Sequence, residues 1–524
     1  MMDPTQPKVV GVSGVFTRAS SGLVRQVSTR DTVYYGVMAI TIAYMVFIVT
    51  AWPGYPGSSM ELATLLVTIG GVLLGVVYSL FAAVYPRSGG EYVFLSRVVH
   101  PSVGFVVSFL QAFWYAFYFG LNGAFFAIYG LAPLFTVLGL QMHSSGLTSA
   151  GTWFASHNGI FVMGSVLVLF IGFMVYRGMR GFFRLQRWAG AFAMASVLVT
   201  IVVLILGSTG ALHFASEFNA IAGSGAYAAV ERAGASPGFS TLATFNFMVW
   251  PAFSILFSVN MVSFSGEVKN VRRGPLVGIV GSMVVTGVLM IVLMWLGRGA
   301  FGDRFLQAAP SSSKVPVPPF LNVFASILGH NPVLTIVMSL WIVFVIPFAL
   351  GSNVIYSSRA MLAWGLDGVA PRPFANVSER RHTPVFAIVT LVVLAEIALA
   401  IFTYTTWVEI LSGFLGFAIA FAVVCVAGIF FPFTHRATLE RSPANIRIAG
   451  IPLMTICGVL AAPFIGFIAY RTAVDKALGA NAHISLIVNG ILIAVGFAWF
   501  YALRWYRTSR GENVDRRFKE IPIE

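Results

Sequence analysis

The sequence predicts an all-α membrane protein with twelve transmembrane helices. Its composition, its long apolar runs and the placement of its charges support this prediction. Apolar residues make up 58% of the 524 residues, and only 10% are charged. A soluble domain usually carries about 25% charged residues, because it has to cover its surface. The composition therefore excludes a soluble enzyme, a disordered chain and a disulfide scaffold.

Long apolar runs recur along the chain, each close to the ~20 residues that a helix needs to cross a bilayer. Helices fit these runs because backbone polar groups in hydrocarbon must be paired within their own segment. We number the runs as segments 1 to 12, over residues 33–51, 62–84, 102–131, 159–176, 188–207, 242–265, 275–297, 334–357, 385–403, 408–431, 449–470 and 484–503. They predict one transmembrane domain over 32–505, between an N-terminal tail (1–31) and a C-terminal tail (506–524).

Lysine and arginine are concentrated in the two tails and in every second gap between segments. Only six of the 32 lie in the other gaps: Arg232, Arg298, Arg304, Lys314, Arg471 and Lys476. Cytoplasmic loops attract Lys and Arg, so both tails are expected in the cytoplasm, in a multi-pass protein of the plasma membrane. The net charge of +14 is then a signal of topology. No folded basic domain remains for a nucleic acid, so we expect the lipid bilayer and a small molecule as partners.

Sequence motifs for catalysis and for transition-metal binding are missing. The chain has no HExxH, no CxxC and no phosphate-binding GxxxxGK[ST]. We therefore expect no enzyme activity, no catalytic residue, no metal except possible sodium, and no organic cofactor. Two acids lie in the predicted segments. Glu396, deep in segment 9, is expected to be a buried hydrogen-bonded acid or an interface acid. Glu409 has either a gating or proton-linked role at the outer mouth or is an ordinary interface residue.

Three stretches between segments carry a recognisable pattern: PRSGGEYVFLSRVVHP at 86–101, GEVKNVRRGP at 266–275 and SSRAMLAWGLDGVAPRPFANV at 357–377. In this order, after segments 2, 6 and 8, they resemble the amino acid–polyamine–organocation superfamily of permeases. The resemblance covers about residues 28–505. It implies the leucine-transporter-like inverted repeat, in which segments 1–5 and 6–10 are related by a pseudo-twofold axis and segments 11 and 12 are peripheral. Segments 1 and 6 would each be broken at the midplane, with the substrate between their halves.

The same stretches have a physical interpretation. Gly89 and Gly90 allow a tight turn, and Asp367-Gly368 with Pro371 predicts a turn after segment 8. We expect Glu267 and Lys269 to form an ion network with the neighbouring arginines, Arg272 and Arg273. The gating candidates are Glu267, Lys269, Arg359 and Glu409.

The residues support a break in segment 6 more than in segment 1. Pro251 interrupts segment 6, and polar side chains that can serve freed backbone groups follow it. In segment 1 the resemblance places the break at Thr41, Ile42, Ala43 and Tyr44, where relatives usually have Gly-x-Gly and this chain has no glycine. Either the surrounding structure holds the break, or the matching positions are several residues away.

Segments 1, 3, 6 and 8, which the resemblance places around the substrate, contain no Asp, Glu, Lys or Arg. A ligand with an extra charge would need a buried counter-charge, whereas a zwitterion can use helix ends. We therefore expect a secondary transporter of neutral amino acids. A permease for polyamines or other organic amines, an exchanger, and more remotely a channel or receptor stay open. The substrate-binding candidates are Thr41, Ile42, Ala43, Tyr44, Trp114, Tyr118, Phe253, Ser254, Phe257, Ser258 and Asn260.

The coupling ion is less constrained. Many proton-driven relatives have a lysine midway along segment 5, and the matching residue here is Ser196. No fixed ammonium can therefore occupy the cation site implied between segments 1, 5 and 8. Hydroxyl and carbonyl oxygens could hold sodium there, and the candidates are Ser196, Ser352 and Asn353. Sodium symport, proton symport and uncoupled transport remain open.

Overall fold

A computed structural model describes residues 22–406, 412–475, 483–512 and 514–518, without the side chains of residues 40–48, 412, 483 and 516. The first half of the described chain is helical. Its helices are α1 (Thr29–Ala51), α2 (Met60–Val84), α3 (Glu91–Val98), α4 (Pro101–Phe125), α5 (Ala132–Gln141), α6 (Ser145–Ala155), α7 (His157–Arg177), α8 (Met179–Ser208), α9 (Phe214–Ala222) and α10 (Ala226–Ala233). A π-helical turn, Phe126–Leu131, joins α4 to α5.

The second half adds a small hairpin to its helices. The helices are α11 (Thr241–Phe247), α12 (Val249–Ile255), a 3₁₀ helix (Leu256–Glu267), α13 (Gly274–Phe301), α14 (Asp303–Ala308), α15 (Leu321–Gly329), α16 (Pro332–Asp367), α17 (Val385–Tyr404), α18 (Ser412–Thr434), α19 (Arg436–Glu440), α20 (Leu453–Val474), α21 (His483–Thr508) and α22 (Val514–Arg517). Strands β1 (Arg447–Ile448) and β2 (Ile451–Pro452) pair antiparallel. Short 3₁₀ turns occur at Trp52–Gly54, Ala309–Ser311 and Arg372–Ala375.

Eleven helical stretches of the described chain are long and apolar enough to cross a membrane. They coincide with segments 2 to 12. α1 covers segment 1 and has 23 residues, which is about 34 Å of helix and enough for the hydrocarbon layer. The all-α membrane fold is therefore confirmed, whereas the number of crossings and the inverted repeat stay predictions.

Segment 1 does not break in this structure. α1 is one helix from Thr29 to Ala51, and the four residues 41–44 lie inside it. The expected break was therefore wrong. The physical reason is local, because residues 37–51 contain neither glycine nor proline, the two residues that weaken a helix most.

Segment 6 is interrupted, as predicted. α12 gives way to a 3₁₀ helix at Leu256, and within it Phe264 leaves helical geometry at φ −120° and ψ 25°. Pro251 lies in the first turn of α12, where its missing N–H has no helical partner to lose. The irregular backbone therefore follows the proline, and it carries the polar residues that were expected near the break.

Backbone pairing ties the stretch before α1 to the end of segment 6. Val27 forms a parallel bridge with Val268, the Gln26 and Val27 amides donate to the Glu267 carbonyl over 2.9 and 3.0 Å, and the Lys269 amide donates to Val27. We call residues 26–27 with 267–269 the latch. The end of the bundle that holds the latch also holds the 86–90 turn and the 367–372 turn, and we call it the terminal end.

The glycine turns match the sequence predictions. Gly89 and Gly90 have φ of 127° and 63°, and Gly368 has φ of 80°. A Cβ on Gly89 would lie 2.6 Å from the Ala363 side chain, so the 86–90 turn packs closely on α16. The short helix α15 is buried along Leu321–Leu328.

The close contact of α4 with α17 gives a test of the packing. A Cβ on Gly120 would lie 2.2 Å from the backbone oxygen of Ala395, which cannot move aside. We predict that Gly120→Ala lowers the stability by about 1–3 kcal/mol, measured by thermal unfolding in detergent. Gly181→Ala is the control, since its Cβ meets no atom within 4 Å. Equal melting temperatures for both variants would contradict the packing.

Candidate functional site

A cavity of about 60 Å³ lies between α1, α4, segment 6 and α16. The lining residues are uncharged. They are Ala39, Tyr118, Asn122, Phe125, Phe253, Phe257, Asn260, Ala349, Ser352 and Asn353. The helices around the cavity are those that the family resemblance placed around the substrate. Their sequences predicted a site without charged side chains, and the described lining residues are indeed uncharged.

Amide and hydroxyl groups supply the polarity of the cavity. Tyr118 and Asn122 lie one turn apart on α4, and Ser352 and Asn353 lie together on α16. The Ser352 hydroxyl donates to the Ala349 carbonyl over 2.7 Å. The buried Asn353 Nδ2 has no hydrogen-bond partner among the described residues. Because an unmet buried donor costs about 1–3 kcal/mol, a ligand that accepts this hydrogen bond would be stabilised.

Aromatic rings form the apolar wall of the cavity. Tyr118, Phe253 and Phe257 meet one another edge to face, with centroids 5.8 to 6.4 Å apart. Phe414 and Phe417 of α18 support them from behind, at 5.4 Å from Phe253 and 5.0 Å from Phe257. These distances are typical of favourable aromatic pairs, so the wall is well packed and apolar.

The structure brings together some of the substrate-binding candidates. Tyr118, Phe253, Phe257 and Asn260 line the cavity, whereas Trp114, Ser254 and Ser258 do not. The Trp114 indole donates to Asn489 Oδ1 over 3.0 Å, and Ser258 bonds to Ser282 at 2.8 Å, so both face neighbouring helices. Ser254 is buried, and its hydroxyl has no partner among the described residues. The side chains of Thr41, Ile42, Ala43 and Tyr44 lie outside the described part of the chain.

The three ion-coupling candidates do not form one cluster. Ser352 and Asn353 line the cavity, but the Ser196 hydroxyl accepts a hydrogen bond from the Trp341 amide. Trp341 lies eleven residues before Ser352, which is about 16 Å along a helix. A sodium site built from all three residues is therefore not formed. Within the described ranges, no three His, Cys, Asp or Glu residues are grouped as metal ligands.

An ion pair joins segment 6 to α16 at the terminal end. Arg359 Nε lies 2.9 Å from Glu267 Oε1, and both side chains are 0% exposed. The Lys269, Arg272 and Arg273 side chains are exposed, so the network expected between Glu267 and these residues was wrong. The reason is that Glu267 points into the bundle, where only a residue distant in sequence can reach it. Glu409 lies outside the described residues.

Two polar features were missed or only partly foreseen. Asn122 lies four residues after Tyr118, on the same face of α4, so helical spacing could have identified it. Glu91 lies in the 86–101 motif and was assigned no role from the sequence, although it is an acid directly after Gly-Gly in an apolar stretch. Its carboxyl is fully buried, and burial raises its pKa above the usual value.

The acid of segment 9, Glu396, accepts a hydrogen bond from the Ser165 hydroxyl at 2.6 Å. This contact confirms that Glu396 is hydrogen-bonded, as expected.

Comparison with known families supports the same fold. The model of a family described as amino acid permease matches residues 32–498, which includes every helix that lines the cavity. No curated protein matches the chain.

The buried ion pair gives a prediction with an internal control. Glu267→Leu or Arg359→Met alone leaves one unpaired buried charge, so each should lose about 3–5 kcal/mol of stability. The double variant removes both charges and should recover most of that loss, as measured by thermal unfolding. Arg436→Gln is the control, because its pair with Glu440 is 74% and 43% exposed and contributes about 0–1 kcal/mol. Additive losses in the double variant would contradict the pairing.

Proposed function

Because the chain belongs to the amino acid permease family, we propose that this multi-pass membrane transporter carries neutral amino acids by alternating access. The observation that carries the proposal is the uncharged cavity between α1, α4, segment 6 and α16. It combines amide and hydroxyl groups with aromatic rings, which is the combination that an amino acid with an apolar side chain requires.

The choice of a neutral substrate follows from electrostatics. A zwitterion brings its own counter-charge, so amide and hydroxyl groups can serve its carboxylate and ammonium. A cationic amino acid or a diamine brings an additional positive charge, which would be left without a carboxylate in the described lining. Burying such a charge costs several kcal/mol. The aromatic wall could offset part of this cost by cation–π contact, and for this reason organic amines are the alternative substrates.

The proposed cycle requires the terminal end to open and close. Here the latch and the Glu267–Arg359 pair hold segment 6 against α16 and the start of the chain. Access from this side would require both to separate. From the charge distribution we propose that the terminal end faces the cytoplasm, in the plasma membrane. The coupling is proposed to be symport with sodium or a proton, with Ser352 and Asn353 as the oxygen ligands if sodium is used.

The substrate class can be tested by competition. We predict that neutral amino acids raise the melting temperature of the purified protein and compete for uptake in proteoliposomes, at two pH values and with or without sodium. Putrescine and lysine should do neither, because the described lining offers no carboxylate for their extra charge. Competition by putrescine alone would overturn the substrate class, and the absence of any saturable uptake would favour a channel or a receptor.

A single substitution should shift the charge preference. Asn122→Asp keeps the size of the side chain but adds a carboxylate to the lining. We predict that uptake of neutral amino acids falls at least about tenfold, equivalent to about 1.4 kcal/mol, while binding of cationic amino acids improves. Asn158→Asp, at an exposed helix end, is the matched control. If both variants behaved alike, Asn122 would not face the substrate.

A further inference from the structure

Glu91 is a buried acid without a basic partner among the described residues. It is the first residue of α3, and its side chain is 0% exposed. The Tyr356 hydroxyl donates to its Oε2 over 2.5 Å. The Gln111 amide nitrogen, in the orientation that satisfies its neighbours, lies 3.2 Å from both carboxylate oxygens and also donates to Tyr356. Two arginines of the terminal end with buried side chains are engaged elsewhere, since Arg359 pairs with Glu267 and Arg97 pairs with Asp367.

The groups that face Glu91 can form hydrogen bonds with both its ionised and its protonated carboxyl group. Tyr78 of α2, Tyr115 and Gln111 of α4 and Tyr356 of α16 surround it, and Cys425 of α18 lies beside Tyr78. Each titratable neighbour is neutral near pH 7, so none supplies a positive charge. A tyrosine hydroxyl can donate to a carboxylate and can accept from a carboxylic acid. Burial without a counter-charge favours the neutral acid, which is the cause of the raised pKa of Glu91.

Two hydrogen bonds and one ring contact connect this acid to the candidate cavity. The Tyr356 ring packs on the Tyr115 ring at 4.3 Å between centroids. The Tyr115 hydroxyl donates to Oδ1 of Asn260, and Asn260 lines the cavity. A short chain of polar groups therefore leads from Glu91 to the lining of the cavity.

A second connection reaches segment 6 from the glycine turn. The Gly89 amide donates to the Ser263 carbonyl over 2.8 Å, and the Ser265 hydroxyl donates to the Arg87 carbonyl over 2.9 Å. Segment 6 is thus held against the turn that carries Glu91. If segment 6 moves away when the terminal end opens, these bonds break and water reaches the carboxyl.

We propose that Glu91 is the proton-binding residue that couples transport to a proton gradient. While the terminal end is closed, its carboxylate takes one proton from water on the cavity side, so that one O–H bond of a hydronium ion breaks and one carboxyl O–H bond forms. When segment 6 separates from the Gly89–Gly90 turn, that bond breaks and the proton passes to water on the terminal side. The inference rests on the proposed function and deepens it, because it selects a proton over sodium as the coupling ion and assigns the ion to a residue outside the cavity.

The test uses the full chain in proteoliposomes, with the amino acid that gives the largest thermal shift for the wild type. A pH gradient of one unit supports about tenfold accumulation by one-proton symport. We predict that Glu91→Gln, which resembles the protonated acid, abolishes this accumulation and its proton uptake but keeps counterflow exchange and the thermal shift. Its counterflow should also be independent of pH, whereas wild-type counterflow should fall as pH rises and Glu91 ionises. Glu396→Gln, another acid within the bundle, is the control and should accumulate like the wild type.

The outcomes separate the two hypotheses. Counterflow without gradient-driven accumulation in the wild type, or normal accumulation by Glu91→Gln, would overturn the role of Glu91 and leave the proposed function intact. No uptake or counterflow of any amino acid by the folded wild type would overturn both. If Glu91→Gln does not fold, Glu91→Asp keeps the carboxyl. It should then move the pH profile of accumulation, and an unchanged profile would count against the inference.

Discussion

The need to pair every backbone polar group inside hydrocarbon constrains this fold more than any other requirement. Irregular backbone is tolerated at membrane depth only where protein covers it. In an apolar 18-residue stretch of segment 6, which contains the 3₁₀ helix, 89% of the residues are buried inside the bundle, compared with 22% in such a stretch of α21. The irregular stretch therefore occupies the centre of the bundle, and the cavity forms beside it. The location of the cavity therefore follows from the need to cover irregular backbone with protein and from the polar residues of the irregular stretch.

Charge is separated from the candidate site. The described cavity lining is uncharged, whereas the terminal end concentrates buried acids: Glu267 and Asp367 each pair with an arginine, and Glu91 bonds to Tyr356 and Gln111. An uncharged cavity suits a zwitterion. The buried acids of the terminal end would lose their partners or meet water when that end opens. Substrate recognition and the control of access would then be carried out by different residues that share segment 6.

The sequence predicted the membrane segments and part of the site, because both depend on local pattern. Tyr118, Phe253, Phe257 and Asn260 were found among polar and aromatic residues of the expected helices. Trp114 was misplaced because its indole fits against Gly413 and Gly416 of α18, a contact that α4 alone does not reveal. The Glu267–Arg359 pair spans 92 residues, and such pairing depends on the folded bundle. The incorrect prediction of a break in segment 1 came from the family resemblance. The residues of segment 1 themselves favour a continuous helix.

The most direct measurement is an experimental structure determined with a bound neutral amino acid. We expect density for the ligand between α4, segment 6 and α16. Its carboxylate and ammonium should lie within about 3.2 Å of backbone, amide or hydroxyl groups, including those of Asn122, Asn260 and Asn353, with no charged side chain in contact. A ligand held by a salt bridge, or bound outside this cavity, would contradict the account.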